Sequence, residues 1–391
     1  MTVAMTVDDL LREPPYSLSQ SEKERVLLSE LTALTCHHRQ HSSEYARLID
    51  MIFPDSGAPS KLADLPYLPV GLFKERLLSS VPPDAVFKVL QSSGTSGQTP
   101  SRITLDRDTA LLQTRALSRI MTSVLGPDRL PMLLVESPDV IRDRKEFNAR
   151  GAGLLGMMNF GRQHCYALDS NLHLRLPEVR QFLKSHGKGD FLIFGFTFLV
   201  WSAFLQQIHS LGLDLSKGIL IHSGGWKKLQ DQAVTTDEFR SAFRKFTGLT
   251  RIYNFYGMVE QVGSIFLEGD DGYFYPPSFA DIIIRDPLTF EELPTGQPGV
   301  VEVLSVLPRS YPGHCLLTED LGIVHAIDPP GSTRLGKAFS ILGRIPRAEL
   351  RGCSDVIDAS SEETHSHRGV DLDLKKSPEC RREPCTLVCQ I

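Results

Sequence analysis

Residues 87–106 read FKVLQSSGTSGQTPSRITLD. Ser92, Ser93, Thr95, Ser96 and Thr99 crowd around Gly94 and Gly97, and two strand-like runs, VFKVL and RITL, lie on either side. Glycine lets a loop turn its backbone N–H groups toward an anion, and serine and threonine hydroxyls add further donors. A Walker A loop would need a lysine after its second glycine to meet the β- and γ-phosphates. Here Gln98 follows Gly97, so the loop is not that of a P-loop NTPase by this motif. Taken alone, it fits a plain turn as readily as a phosphate cradle, and the rest of the chain has to decide.

Outward from the loop, Asp106 caps the run RDTALLQTRALSRIMTSVL, which predicts a helix. Short apolar strands follow: MLLVE, FLIFGF, GILIHS and RIYNFY, with helical or loop segments between them. Alternating β and α signals predict an α/β fold with a largely parallel sheet. From about residue 272 the pattern turns mostly to strands, in GYFYPP, DIIIRD, GVVEVLSVL and GIVHAI. Upstream, Leu27, Leu31 and Leu34 recur at helical spacing and predict helix over 17–53, capped by Ser17 or Ser19. A proline-rich connection, LADLPYLPVGLFKERLL, links that helix to the loop, and no internal repeat is present. Beyond Asp355 the chain is polar and highly charged, and cannot bury enough apolar surface to offset its ordering entropy. The expected organisation is an N-terminal extension over 1–16, an α/β domain over 17–354 and a poorly ordered tail over 355–391.

The 391 residues are 41% hydrophobic and carry a formal net charge of −5. That balance argues against binding dominated by nucleic-acid phosphates. No uncharged apolar run reaches membrane-spanning length. The start, MTVAMTVDDLLREPP, lacks the basic and apolar regions of a signal peptide. Seven cysteines, sparse and odd in number, read as reduced thiols of a cytoplasmic protein. Cys380, Cys385 and Cys389, with His365 and His367, lack the tight pairing of a zinc site.

Three further stretches carry candidate chemistry. YNFYGMVEQ (253–261) places Tyr256, Gly257 and Glu260 at a strand end, where a carboxylate can hold Mg²⁺ beside a nucleotide. LLTEDLG (316–322) puts Asp320 before an expected turn and a new strand, as an acceptor for two ribose hydroxyls. LGRIPRAELRGCSD (342–355) offers Arg344 for ribose or phosphate, and Cys353 near Arg351. Each of these also fits an ordinary solvated turn or linker.

In this order the pieces resemble the adenylate-forming superfamily of acyl-CoA ligases, peptide-synthetase adenylation domains and luciferases. Within it the chain is similar to the LuxE-type acyl-protein synthetases. The matching pieces are LPYLPVGLFK, SSGTSGQTPSRITLD, FGFTF, NFYGMVEQ and GRIPRAELRGCS, and the likeness covers about residues 20–355. The resemblance implies the large N-terminal domain of adenylate-forming enzymes: parallel sheets flanked by helices, plus a β-rich subdomain, without a full C-terminal domain. It implies that Ser92, Ser93, Gly94, Thr95, Ser96 and Gly97 hold the ATP triphosphate, that Glu260 binds Mg²⁺ beside Tyr256 and Gly257, and that Asp320 holds the ribose, with Arg344 a candidate for ribose or phosphate. Gly224 and Gly225 fit the backbone that passes close to adenine and substrate. Cys353 takes the place of an acyl-carrying cysteine. The lysine that the superfamily's C-terminal domain brings has no identifiable counterpart, Lys375 and Lys376 lying in the tail.

The implied reaction turns a carboxylic acid, of the fatty type, into acyl-AMP, then into a thioester for delivery to an acyl reductase or carrier protein. Adenylation gives a carboxylate a good leaving group, and a thiolate then displaces it. Arg351 near Cys353 would raise the thiolate fraction. GFTFLVWSAF (195–204) and HSGGWKK (222–228) are candidate acyl-pocket walls, the former equally well plain core. Two other readings remain open: an acyl-AMP ligase delivering to a carrier protein, CoA or a small nucleophile, and a non-catalytic nucleotide-binding scaffold.

Overall fold

In the computed structural model, residues 5–54, 57–92, 99–142, 149–225 and 234–345 are described. Their strands, in chain order, are β1 (Leu68–Pro69), β2 (Lys88–Gln91), β3 (Arg102–Leu105), β4 (Leu130–Val135), β5 (Gly161–Tyr166), β6 (Phe191–Phe196) and β7 (Gly218–Ser223). There follow β8 (Arg251–Tyr256), β9 (Phe266–Glu268), β10 (Phe274–Tyr275), β11 (Ala280–Arg285), β12 (Pro298–Ser305), β13 (Cys315–Ile327) and β14 (Lys337–Arg344). β2 and β3 form a separate antiparallel pair. The others make one sheet in the order β11-β12-β13-β14-β10-β9-β8-β7-β6-β4-β5, with β1 alongside β13.

The sheet has two halves. From β5 through β4, β6 and β7 to β8 every pairing is parallel. Side chains alternate across a strand, and here both faces are covered. Met132, Leu134, Leu192, Phe194, Ile219 and Ile221 share one core with Ala116, Ile120 and Met121 of the helix Arg107–Leu125 and with Leu154 and Met157 of the helix Ala149–Met158. On the opposite face Phe191 meets Phe182 of the helix Leu176–His186, with ring centroids 5.6 Å apart. His222 stacks on Phe239 of the helix Thr236–Thr247 at 4.7 Å. Burial on both faces is why these strands read as continuous apolar runs.

The second half, from β9 to β11, is antiparallel throughout its main path. The α/β class with a β-rich C-terminal part is therefore as expected. One local expectation is corrected: residues 316–322 are not a turn before a strand. They lie inside β13, a continuous strand in which Asp320 pairs with Arg344 of β14. Gly322 explains the misleading composition. A Cβ there would lie 2.6 Å from Val301 Cγ2 and 2.9 Å from the Ser340 carbonyl oxygen. The glycine serves close approach of three strands, not a change of direction.

The helix expected over 17–53 is two helices. Gln20–His41 is capped by Ser19 in a reciprocal arrangement with Glu22, and Ser43–Ile52 is capped by Ser42. Ahead of them, the helix Val7–Arg12 buries Val7, Leu10 and Leu11. The proline-rich connection is also structured. Val70 N–H donates to the Leu317 carbonyl at 2.9 Å, β1 lies parallel to β13, and the short helix Leu72–Glu75 follows. Among the described residues no helix is long and apolar enough to cross a membrane. The tail over 355–391 lies outside the described residues.

Candidate active site

The opening stretch is a hairpin whose two strands, β2 and β3, pair from Lys88–Leu105 to Gln91–Arg102. Its neck is closed by two hydrogen bonds: Ser92 N–H donates to the Ser101 carbonyl at 3.0 Å, and Ser101 N–H donates to Ser92 Oγ at 2.8 Å. Ser93, Gly94, Thr95, Ser96 and Gly97 lie outside the described residues.

Glu260 sits at that neck. It follows β8 in the single 3₁₀ turn Val259–Gln261 and is buried. Burial raises its carboxyl above the usual carboxylate range. The Ser101 hydroxyl and the Lys74 ammonium act in the other direction, and Glu319 adds to the rise. The turn is held from behind: Tyr311 Oη donates to the Glu260 carbonyl at 2.9 Å, and Gln113 Nε2 donates to Tyr311 Oη at 3.3 Å. Gln261 Nε2 donates to the Gly313 carbonyl at 2.9 Å and to the Val303 carbonyl at 3.1 Å. These hydrogen bonds fix the turn behind the Glu260 carboxyl, which lies near Ser101 of the hairpin.

A second cluster stands beside it. Tyr256, the last residue of β8, donates its hydroxyl to Asp320 Oδ2 at 2.7 Å, and Arg344 Nε lies 3.6 Å from Asp320 Oδ1. Burial raises the Asp320 carboxyl, and the Tyr256 hydrogen bond and Arg344 charge oppose the rise. Burial and the neighbouring Asp320 hold the Tyr256 phenol well above its ordinary value. Gly257 follows Tyr256 closely enough to Ile265 that a Cβ would lie 3.0 Å from Ile265 Cγ2. Gly225, two residues past the end of β7, is exposed, with nothing within 4 Å of an added Cβ. Gly225, Tyr256, Gly257 and Glu260 thus all stand at the carboxyl ends of adjacent parallel strands, where open α/β sheets bind ligands.

The structure adds residues that the sequence reading passed over. Lys74 Nζ lies 3.3 Å from Glu319 Oε1. Tyr311 seats Glu260, and the Ser101 hydroxyl lies beside its carboxyl. Lys74 belongs to the quoted run LPYLPVGLFK, where a cation ending an apolar stretch was the available signal. Of the candidate pocket walls, GFTFLVWSAF is largely core: Phe196, Leu199, Val200, Ala203 and Phe204 are buried. Its helix widens into a π-helical stretch over Val200–Leu205, and Trp201 stacks on Phe239. Cys353 and Arg351 lie outside the described residues, as do the tail cysteines and lysines. Among the described residues no group of three or more His, Cys, Asp and Glu side chains converges as a metal site. A single carboxylate such as that of Glu260 fits the chemistry of Mg²⁺, which takes one or two carboxylates with phosphate oxygens and water completing its shell.

Residues 1–361 match the sequence model of the family described as acyl-protein synthetase, LuxE. A long-chain-fatty-acid–luciferin-component ligase of Vibrio harveyi is 24% identical over 387 residues, covering 89% of this chain and 92% of that one. Among solved structures, a 2-hydroxyisobutyryl-CoA ligase bound to its acyl-AMP superposes with a TM-score of 0.62 at 17% identity, covering 85% of this chain and 70% of that one. An open conformation of that ligase gives 0.61 at 17% identity, with coverage of 86% and 78%. At this identity the structural likeness shows the fold, that of adenylate-forming ligases.

Proposed function

The chain belongs to the LuxE acyl-protein synthetase family, and from that premise we propose that it uses ATP to activate a long-chain fatty acid as acyl-AMP and then carries the acyl group on Cys353. The observation that carries this reading is the seat of Glu260. A buried carboxyl stands at the end of a parallel strand, against the neck of a hydroxyl- and glycine-rich hairpin, with the Tyr256–Asp320–Arg344 cluster beside it. Those are the groups needed to place a triphosphate and a ribose side by side. The fatty nature of the acid follows the Vibrio harveyi relative, whose name specifies a long-chain fatty acid.

In the first step a substrate carboxylate oxygen attacks the α-phosphorus of ATP, and the bond to the bridging oxygen breaks to release pyrophosphate. The chain's part is positioning: hairpin N–H groups and hydroxyls for the phosphates, Asp320 and Arg344 for the ribose. Glu260 would hold Mg²⁺, which when bound supplies charge neutralisation on the phosphates. In the second step the Cys353 thiolate attacks the acyl carbonyl, the bond to the phosphate oxygen breaks and AMP leaves. Arg351 favours the thiolate. The thioester then passes to a partner such as an acyl reductase.

The test is ATP–pyrophosphate exchange over a panel of carboxylic acids, with labelled acid to follow the protein. Exchange with fatty acids, and label released by neutral hydroxylamine, are expected. Cys353→Ser should retain exchange and lose the label, because the hydroxyl is a far weaker nucleophile without a positioned base. Robust exchange with no label on wild type would assign the acyl group to another acceptor, such as a carrier protein or CoA. No exchange with any acid would overturn acid activation itself.

A further inference from the structure

We propose that Lys74 is the phosphate-contacting cation of this site, a catalytic residue that meets the ATP triphosphate beside the Glu260 end. The inference rests on the ATP-site reading above and adds a residue to it.

The first observation is placement. Glu260 marks the metal end of the site and Asp320 the ribose end. The Lys74 ammonium bears on the Glu260 carboxyl, and its Nζ lies 3.3 and 3.5 Å from the two oxygens of Glu319. The ion pair with Glu319 and the influence on Glu260 put this cation beside the metal end, within reach of phosphates bound there.

The second observation is charge. Glu319 raises the carboxyls of both Glu260 and Asp320, so a site expected to bind a polyanion already carries acidic side chains. Arg344 is engaged with Asp320. Lys74 pairs with Glu319 and bears on Glu260, and its side chain is 17% exposed. In a desolvated site, a pre-placed cation stabilises charge developing on a transferring phosphoryl group more than the same cation in water.

The third observation is the mount. The segment is pinned to β13 by the β1 pairing and by Val70 N–H to the Leu317 carbonyl. Phe73 is fully buried, edge-on to Tyr311 at 6.1 Å, and Tyr311 in turn donates to the Glu260 carbonyl. The lysine and the metal-site carboxylate are thus carried by one packed unit. Gly71 lies against Glu319 as well, an added Cβ being 3.7 Å from its Oε1.

Two measurements decide it. An ATP analogue with an acyl group on its terminal phosphate acylates lysines beside bound phosphates. On the full-length chain it should modify Lys74, and ATP should block the modification while adenosine does not. Lys74→Met should lower the kcat of ATP–pyrophosphate exchange by about a hundredfold or more, with its unfolding midpoint near that of wild type. Glu319→Gln removes the same ion pair but leaves the cation, and should lose far less. A purely structural ion pair predicts equal losses in the two variants. Equal losses, exchange within threefold of wild type in Lys74→Met, or absence of ATP-blocked acylation would each overturn the assignment. If wild type exchanges with no acid yet Lys74 is acylated in an ATP-blocked manner, the phosphate contact stands and the acid-activation reading falls.

Discussion

Glu260 is buried and Asp320 half-buried, and their removal should register in different kinetic constants. Glu260 would act through a metal on phosphates whose charge shifts during reaction, so Glu260→Ala should cut the kcat of pyrophosphate exchange by roughly 10²–10³-fold. Asp320 would hold a ribose that does not change during the chemistry, so Asp320→Ala should raise the KM for ATP and leave kcat nearly unchanged. Charge-assisted hydrogen bonds of about 1.5–3 kcal/mol put that rise at roughly 10–150-fold. Exchange kinetics with ATP varied separate the two, and a kcat defect in Asp320→Ala would refute the ribose role. Both acids were legible in the sequence because each stands in a short motif whose order along the chain is informative. Lys74 was not, since its partner Glu319 is 245 positions away. Ser101 was hidden for the same reason: its value lies in the Glu260 carboxyl it faces, and no local pattern announces that neighbour.

At the scale of elements, the apolar strands were readable because both faces of the parallel half are buried, so FLIFGF, GILIHS and RIYNFY coincide with β6, β7 and β8. The region around Asp320 was misread because Thr-Glu-Asp-Leu-Gly has the composition of a turn, while tertiary packing makes it the middle of β13. That assignment has a consequence for Gly322. β13 lies between β12 and β14 and cannot move away from either. A methyl group 2.6 Å from Val301 Cγ2 and 2.9 Å from the Ser340 carbonyl must displace one of them. Gly322→Ala should therefore cost about 1–3 kcal/mol, the usual range for overpacking, and should also raise the KM for ATP through Asp320 two residues away. Urea unfolding checks the first part, and a midpoint equal to wild type would show that this strand has slack.

Across the whole molecule, the helix Gln20–His41 is fastened to the antiparallel half by polar contacts at both ends, and the far end is built to respond to acid. At its start Gln20 Nε2 donates to Asp281 at 2.6 Å, and Lys23 lies 3.5 Å from the same carboxylate. At its end His38 is hydrogen-bonded to Ser80 Oγ at 2.8 Å and to the Pro308 carbonyl at 3.1 Å. His314 meets Thr35 Oγ1 at 2.9 Å, and the two rings stand 4.9 Å apart. His37, His41 and Tyr45 are packed around them. Burial, with His37 nearby, depresses His314 to about 3, and burial with His314 and His37 holds His38 well below its ordinary value. Between about pH 6.5 and pH 3 the unfolded chain therefore takes up a proton at position 314 that the folded chain refuses. The stability this histidine contributes is full above about 6.5 and is lost as the pH falls, by about 1.4 kcal/mol per unit, or roughly 2 kcal/mol by pH 5. The loss falls on the stretch from Pro308 to His314, whose Tyr311 seats Glu260, so folding and adenylation should weaken together in acid. Other groups titrate over the same range, which makes the informative quantity a difference. Urea-unfolding free energies of His314→Gln should fall between pH 7 and pH 5 by about 2 kcal/mol less than those of wild type. Parallel curves for the two proteins would mean that His314 takes its proton without unfolding the clasp.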